Sequence, residues 1–263
     1  MITSTRIGRY GNLCNSMFQF AAVLGMAKKC NYEVVIPHNK TYFEPNYGCL
    51  NTSIFDGFDI TIPKLNLDSY SFTETEFPFH YIDKTVDDFT DMRGFFQSEK
   101  YFENAINEVR SQFQFKQEIK DRIDLSKYPD PSKCTSIHIR LGDYMRKRHH
   151  HPVLPSSYWN NAVREAGLEH IVIFSDDIEY AKKMFGESNR IVYSNEKNPF
   201  EALYHMSLCK NNIICNSTFG WWGAWLGEAR AGDKVVVAPE IWFGAGHTNF
   251  NTKDIKPERW TTL

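Results

Sequence analysis

From Cys134 to Ala238, short apolar runs alternate with stretches of about ten residues at helical spacing, and nothing else in the chain constrains the fold as strongly. The apolar runs are 134–140, 171–174, 190–193, 212–215 and 235–238; the helical stretches between them are 155–166, 178–185, 199–209 and 221–229. Strands of this length separated by single helices predict a parallel sheet with right-handed crossovers, that is, an α/β fold. Ligands of such sheets bind beyond the carboxyl ends of the strands, so the polar residues that follow each apolar run are the first candidates for function.

Upstream the texture differs. A glycine-containing loop leads into an apolar helical stretch from Met17 to Lys28 and a short strand from Glu33 to Ile36. A long aromatic, turn-rich region without clear periodicity follows, running from Phe55 to Phe96. Residues 98–123 read as helix, with Phe102, Ile106, Val109 and Phe113 at helical spacing. Tyr128-Pro-Asp-Pro-Ser then breaks the pattern, because each proline disfavours helix in the residue before it. The expected organisation is an acceptor-side α/β domain over 1–128 and a nucleotide-binding, Rossmann-like domain over 129–263. No internal repeat is evident.

Composition excludes several classes. Thirty basic against 32 acidic residues give a net charge of -2, so no global field draws the chain to nucleic acid or anionic lipid. The first residues lack a basic and apolar signal pattern, and no long apolar run forms a membrane span; contact at a membrane surface is the one membrane role left open. Cys14, Cys30, Cys49, Cys134, Cys209 and Cys215 are scattered without a CxxC pair, which argues for reduced thiols in a cytoplasmic setting. The sequons at Asn39, Asn51 and Asn216 carry no weight without a secretory context.

Three polar constellations follow apolar runs. The first is His138-Ile-Arg140-Leu-Gly142-Asp143-Tyr144, with His138 and Arg140 on one strand face. Arginine's planar fork suits a diphosphate; the alternative is a structural ion pair between Arg140 and Asp143. Asp143 orients Arg140, takes up an acceptor proton or caps a turn. The second, Phe174-Ser175-Asp176-Asp177, offers Asp176 as a reader of guanine's paired N–H donors and Asp177 as a helix N-cap. The third, Asn216-Ser217-Thr218-Phe219-Gly220, reads as an anion site at a helix N-terminus, or as an ordinary cap on a Trp-rich core helix carrying Trp221, Trp222 and Trp225.

Together, HIRLGDY, LPSSYW, FSDD and NSTFGWWGAWL occur in the order found in family 11 glycosyltransferases, the α-1,2-fucosyltransferases, and over residues 134–243 the chain resembles that family. The resemblance implies a GT-B-like arrangement of two Rossmann-like domains facing a cleft. It implies inverting, metal-independent transfer of L-fucose from GDP-fucose to O2 of a galactose in a glycan, with no cofactor. By the resemblance Arg140 grips the β-phosphate, His138 and Asp143 shape the site, Asp176 reads guanine, and Asn216, Ser217, Thr218 and Phe219 complete the donor pocket. Asp143 is the first choice as acceptor base and His138 the second. The family's opening glycine turn is matched less closely. Either Asn15-Ser16-Met17-Phe18-Gln19 carries it, with Cys14 and Ser16 at variant positions, or Gly8, Gly11 and Asn12 form it with an insertion after; Gly11, Asn12, Asn15 and Gln19 are the acceptor-side candidates. Lacking the anchor of animal members, the chain resembles bacterial or viral ones.

Three alternatives stand beside this reading. A dinucleotide oxidoreductase shares the alternation, but no GxGxxG follows a strand. A catalytically silent sugar-nucleotide binder would keep the phosphate motifs, and a fucosyltransferase of different linkage would keep the arginine motif. Arg146-Lys-Arg-His-His-His reads equally as a basic loop closing on a diphosphate or as a solvated surface loop.

Overall fold

The computed structural model describes residues 1–37, 52–67, 69–167, 169–229 and 233–263, so Cys49 and the sequons at Asn39 and Asn51 lie outside the described residues. In chain order the elements are β1 (Ile2–Thr3), α1 (Leu13–Cys30), β2 (Ile36–Pro37), α2 (Ile54–Gly57), β3 (Lys64–Leu65), β4 (Thr73–Glu76), β5 (Thr90–Arg93), α3 (Ile106–Gln112) and α4 (Gln117–Asp121). They continue with β6 (Cys134–Ile139), α5 (Ser156–Ala166), β7 (His170–Ser175), α6 (Ile178–Phe185), β8 (Ile191–Tyr193), α7 (Pro199–Leu208), β9 (Asn211–Ile214), α8 (Thr218–Gly227), β10 (Val236–Ala238) and β11 (Thr261–Thr262).

The chain forms two compact units, Met1–Lys116 with Asn251–Pro257 and Gln117–Phe250 with Glu258–Leu263. The division falls ahead of residue 128, where the prolines suggested it. The cause is packing: α4 lies against α7, and the Tyr128 hydroxyl donates to Asn195 Oδ1 at 2.7 Å while its ring meets His205 edge-on at 4.3 Å. The prolyl stretch is docked onto the second unit and does not act as a free linker.

In the second unit six parallel strands run in the order β11-β10-β9-β6-β7-β8, with His138 in register with Phe174 on one side and Ile214 on the other. Helices cover both faces, which is why the central strands read as continuous apolar runs. Strand alternation sorts the core into two layers. Ile137, Ile139, Ile173, Ile213 and Val237 pack with Tyr158, Trp159 and Ala162 of α5, while Val172 and Phe174 pack with Met206 and Cys209. Trp221, Trp222 and Trp225 are fully buried, as the core reading of α8 requires. β11 pairs parallel to β10 and escapes sequence detection because two threonines show no periodicity.

The first unit has a parallel three-stranded sheet, β1-β5-β4, and a separate parallel pair, β2-β3. α1 is buried along nearly its whole length and stops at Asn31, which takes the left-handed conformation (φ 58°) and donates its N–H to Ala27 O. The helix expected over 98–123 is broken. Two 3-10 turns, Glu99–Tyr101 and Glu103–Ala105, precede α3, and Phe115 bridges to Phe58 before α4 begins. Phe102, Val109, Phe113 and Ile119 are buried all the same, so the helical spacing marked the core side of a segment that tertiary pairing interrupts.

Candidate functional site

In the second unit the residues after β6, β7 and β9 converge at the carboxyl edge of the sheet. Arg140 follows β6 directly. Its Nε and Nη2 donate to Asp143 Oδ1 at 3.1 and 2.9 Å, and its Nη1 lies 3.1 Å from Asp176 Oδ2. Burial by itself would lower the Arg140 pKa, but the two carboxylates outweigh it and hold the guanidinium above its usual value. With its side chain 29% exposed, the fork is braced yet open to a ligand.

Asp176 is more committed than the sequence suggested. Its Oδ1 accepts the Leu141 N–H at 2.8 Å while Oδ2 faces Arg140, so both oxygens serve the arginine loop. That embrace needs Gly142: a Cβ there would sit 2.5 Å from Asp176 Oδ2. Asp177 is the N-cap of α6, its Oδ1 accepting the Tyr180 N–H at 3.0 Å.

The strand beside β6 supplies the second half. α8 starts at Thr218, three residues earlier than its apolar pattern indicated, because Ser217 caps it by accepting the Phe219 N–H at 3.3 Å. Thr218 and Phe219 thus belong to the first turn, where the helix dipole favours an anion, with the Phe219 N–H already taken by the Ser217 hydroxyl. Asn216 is placed differently from expectation. It is 2% exposed, and its amide donates to Trp242 O at 3.0 Å and Pro152 O at 3.2 Å, so its side chain ties loops together. Tyr144, which sequence reasoning passed over, donates to Asn216 O at 3.0 Å and joins the arginine loop to the α8 cap. HIRLGDY contains this tyrosine, but no spacing rule points to it.

His138 is buried at 5% exposure beside the Phe219 ring, centroids 5.2 Å apart. Burial, with the Arg140 charge adding to it, pushes its pKa down to about 3, so the imidazole is neutral at working pH and a poor proton acceptor. Low basicity weighs against it as second choice for the acceptor base. In the loop that follows, Arg146, Lys147 and Arg148 are exposed, whereas the backbone is pinned: Gly244 donates to His150 O at 2.9 Å and Gly246 to His149 O at 2.8 Å. The His151 ring stacks on Tyr144 at 4.6 Å, and His150 packs on His247 at 4.6 Å. Exposed basic side chains on a pinned backbone match the solvated surface loop of the two readings.

The carboxyl edge of the first unit's sheet holds the opening turn. Gly8 and Gly11 have φ of 80° and 86°, and α1 begins at Leu13, so Gly8, Gly11 and Asn12 form the turn and Cys14 already lies in the helix. Asn15 Oδ1 accepts from Gln97 Nε2 at 2.8 Å, and buried Gln19 donates to Tyr10 O at 3.0 Å. A network unseen in the sequence lies alongside: Asp91 accepts from Thr5 N (2.8 Å), Thr5 Oγ1 (2.7 Å) and Arg93 Nε (3.1 Å). The alternation Asp91-Met92-Arg93 on one strand face was its only signal.

Two α/β units, each built on a parallel sheet, have a GT-B-like fold. NodZ α-1,6-fucosyltransferase, from crystals soaked with GDP-fucose, shares the fold with a TM-score of 0.54 at 13% identity, over 86% of this chain and 92% of that one. POFUT1 in complex with GDP shares it with a TM-score of 0.53 at 12% identity, over 92% and 98%. The chain belongs to glycosyl transferase family 11, whose profile matches residues 2–263.

Among relatives, the O-antigen biosynthesis glycosyltransferase WbnK of Escherichia coli is 41% identical over 133 residues, 47% of this chain and 43% of that protein. An α-1,2-colitosyltransferase of Escherichia coli is 31% identical over 76% of this chain and 71% of its own length. Galactoside α-(1,2)-fucosyltransferase 1 of Ateles belzebuth is 26% identical over 88% and 66%. Matched to the first of these, the chain spans under half the relative's length. Among the described residues no helix is long and apolar enough to cross a membrane.

Proposed function

We propose that this family 11 glycosyltransferase moves L-fucose from GDP-fucose to O2 of a galactose in a glycan, with inversion, and needs neither a metal ion nor a cofactor. The observation that carries the reading is the placement of Arg140 and of the Ser217-capped N-terminus of α8 at the ends of adjacent strands β6 and β9. Breaking the anomeric C–O bond gives the sugar oxocarbenium character and builds negative charge on the β-phosphate. A braced guanidinium and the Thr218 amide at the positive end of α8 are donors placed to meet that charge, the work a metal ion does elsewhere.

The residues divide as follows. Arg140 holds the β-phosphate; Asp143 and Asp176 brace it; Ser217, Thr218 and Phe219 line the diphosphate pocket; Asn216 keeps that loop in place. Both Asp176 oxygens already serve the arginine loop, so we assign it to the arginine. Asp143, bonded twice to Arg140, orients the guanidinium in preference to serving as acceptor base. The α-1,2 linkage in the names of two relatives supports attack by O2, and the five free cysteines among the described residues support a reducing, cytoplasmic setting. A second reading, transfer of colitose in the same linkage, is favoured by 31% identity to the colitosyltransferase.

Incubation with GDP-fucose or the nucleotide-activated colitose, β-galactosides and EDTA, followed by mass spectrometry and NMR of the product, decides between them. An α-1,2-fucosylated galactoside is the expected product. A colitosylated one selects the second reading, and activity that returns only with added manganese removes the metal-free mechanism.

A further inference from the structure

Two buried groups at the second unit's carboxyl edge have had no role so far, the Cys215 thiol and the Nδ1 of His138. They face each other, Sγ to Nδ1 at 3.4 Å, and the strands keep them in place, since Cys215 N donates to His138 O at 3.1 Å. The imidazole is boxed in. Phe219 covers it, and Gly220 approaches so closely that a Cβ there would lie 2.8 Å from Nδ1.

Chemistry decides which atom carries the hydrogen between them. Burial pushes the Cys215 thiol up to about 12, partly offset by the Arg140 backbone N–H that faces the sulfur, so the thiol stays protonated. The neutral imidazole has one N–H to place. A thiol sulfur is a weak acceptor and an unprotonated ring nitrogen a good one, so S–H donating to Nδ1 is the stable arrangement and the ring hydrogen goes to Nε2. We propose that Cys215 is a positioning residue: it locks His138 in the Nε2–H tautomer, so that the histidine meets the sugar nucleotide as an uncharged hydrogen-bond donor beside Arg140. The second half of this inference rests on the donor site proposed above; the tautomer does not. An uncharged donor adds a bond to a diphosphate oxygen without adding to the positive charge that the leaving nucleotide must escape.

The first measurement needs no variant: a long-range proton–nitrogen correlation spectrum of the protein with labelled histidine at neutral pH, His138 being assigned by its loss in His138→Gln. A pyrrole-type nitrogen at Nε2 and a pyridine-type nitrogen at Nδ1 are expected, and the reverse pattern overturns the inference. Cys215→Ser keeps a donor and should preserve the pattern. Cys215→Ala should release the ring to a tautomer mixture and lower kcat/KM for GDP-fucose about tenfold, an effect the serine variant restores. An unchanged His138 signature in Cys215→Ala refutes the positioning role. On titration with GDP-fucose the Nε2 proton should shift; if other resonances move and this one does not, the donor role falls. If none moves, it is the GDP-fucose reading that has failed, while the ligand-free spectrum still decides the tautomer.

Discussion

The second unit builds its sheet from strands of up to six residues, the first from strands of no more than four, and the difference shows in what holds each together. In the second, apolar strands buried on both faces fix the register, and the polar loops at their ends inherit that rigidity. In the first, aromatic rings do much of the joining: Phe58 meets Phe113 at 4.9 Å and Phe115 at 4.8 Å, and Phe96 meets Phe77 and Tyr101 at 5.1 Å each. Long apolar strands organise the second unit, and ring packing between short strands the first.

The strongest way to break this contrast is Arg140→Lys. An ammonium cannot span Asp143, Asp176 and a phosphate together, so kcat/KM should fall at least about a thousandfold in the steady-state assay, with the melting temperature nearly unchanged. Near-normal turnover would end the claim that the second unit's edge is the reactive one. Next, Phe58→Ala should destabilise the first unit by about 3–5 kcal/mol in denaturant titration and give two resolved transitions, because the second unit keeps its own core. A single transition would show that the units do not differ in the way described.

Acid should act on the second unit through its buried histidines. His138 has a folded pKa of about 3, below its unfolded value, so the unfolded chain binds the extra proton between about pH 6.5 and pH 3. Stability is therefore fully present above that window and falls as pH drops through it, by up to about 1.4 kcal/mol per pH unit. His151, pushed down to about 4 chiefly by burial, adds the same sign. Melting curves of His138→Gln should show a shallower acid slope; an identical slope assigns the effect elsewhere. Asp177→Ala should have the smallest effect, about 1 kcal/mol from the lost α6 cap with kcat unaltered. A large loss of turnover there would make Asp177 a ligand residue after all.

The same contrast explains what could be read from sequence. The alternation from Cys134 to Ala238, the cap at Asp177 and the burial of Trp221, Trp222 and Trp225 were legible because short-range periodicity and capping chemistry decide them. β4 and β5 were not: Thr73–Glu76 is mostly exposed, and its pairing partner begins at Thr90. The break in residues 98–123 comes from the pairing of Phe115 with Phe58, a contact no local pattern announces. At the candidate site, residue types were enough to single out Arg140 and Ser217. The commitments of Asn216 and Asp176, and the place of Tyr144, depend on which loops three different strands bring together.

Three tryptophans in α8, with Trp260 packed on Trp221 at 5.3 Å, stand within two turns of the residues proposed to hold the diphosphate. Indoles this close share their excited states, and Trp221 lies one turn from the Ser217 cap. The helix is therefore a built-in optical gauge: ligand arriving at its tip alters the field along the ring stack, so tryptophan emission or near-ultraviolet dichroism can follow occupancy of the site with no label attached.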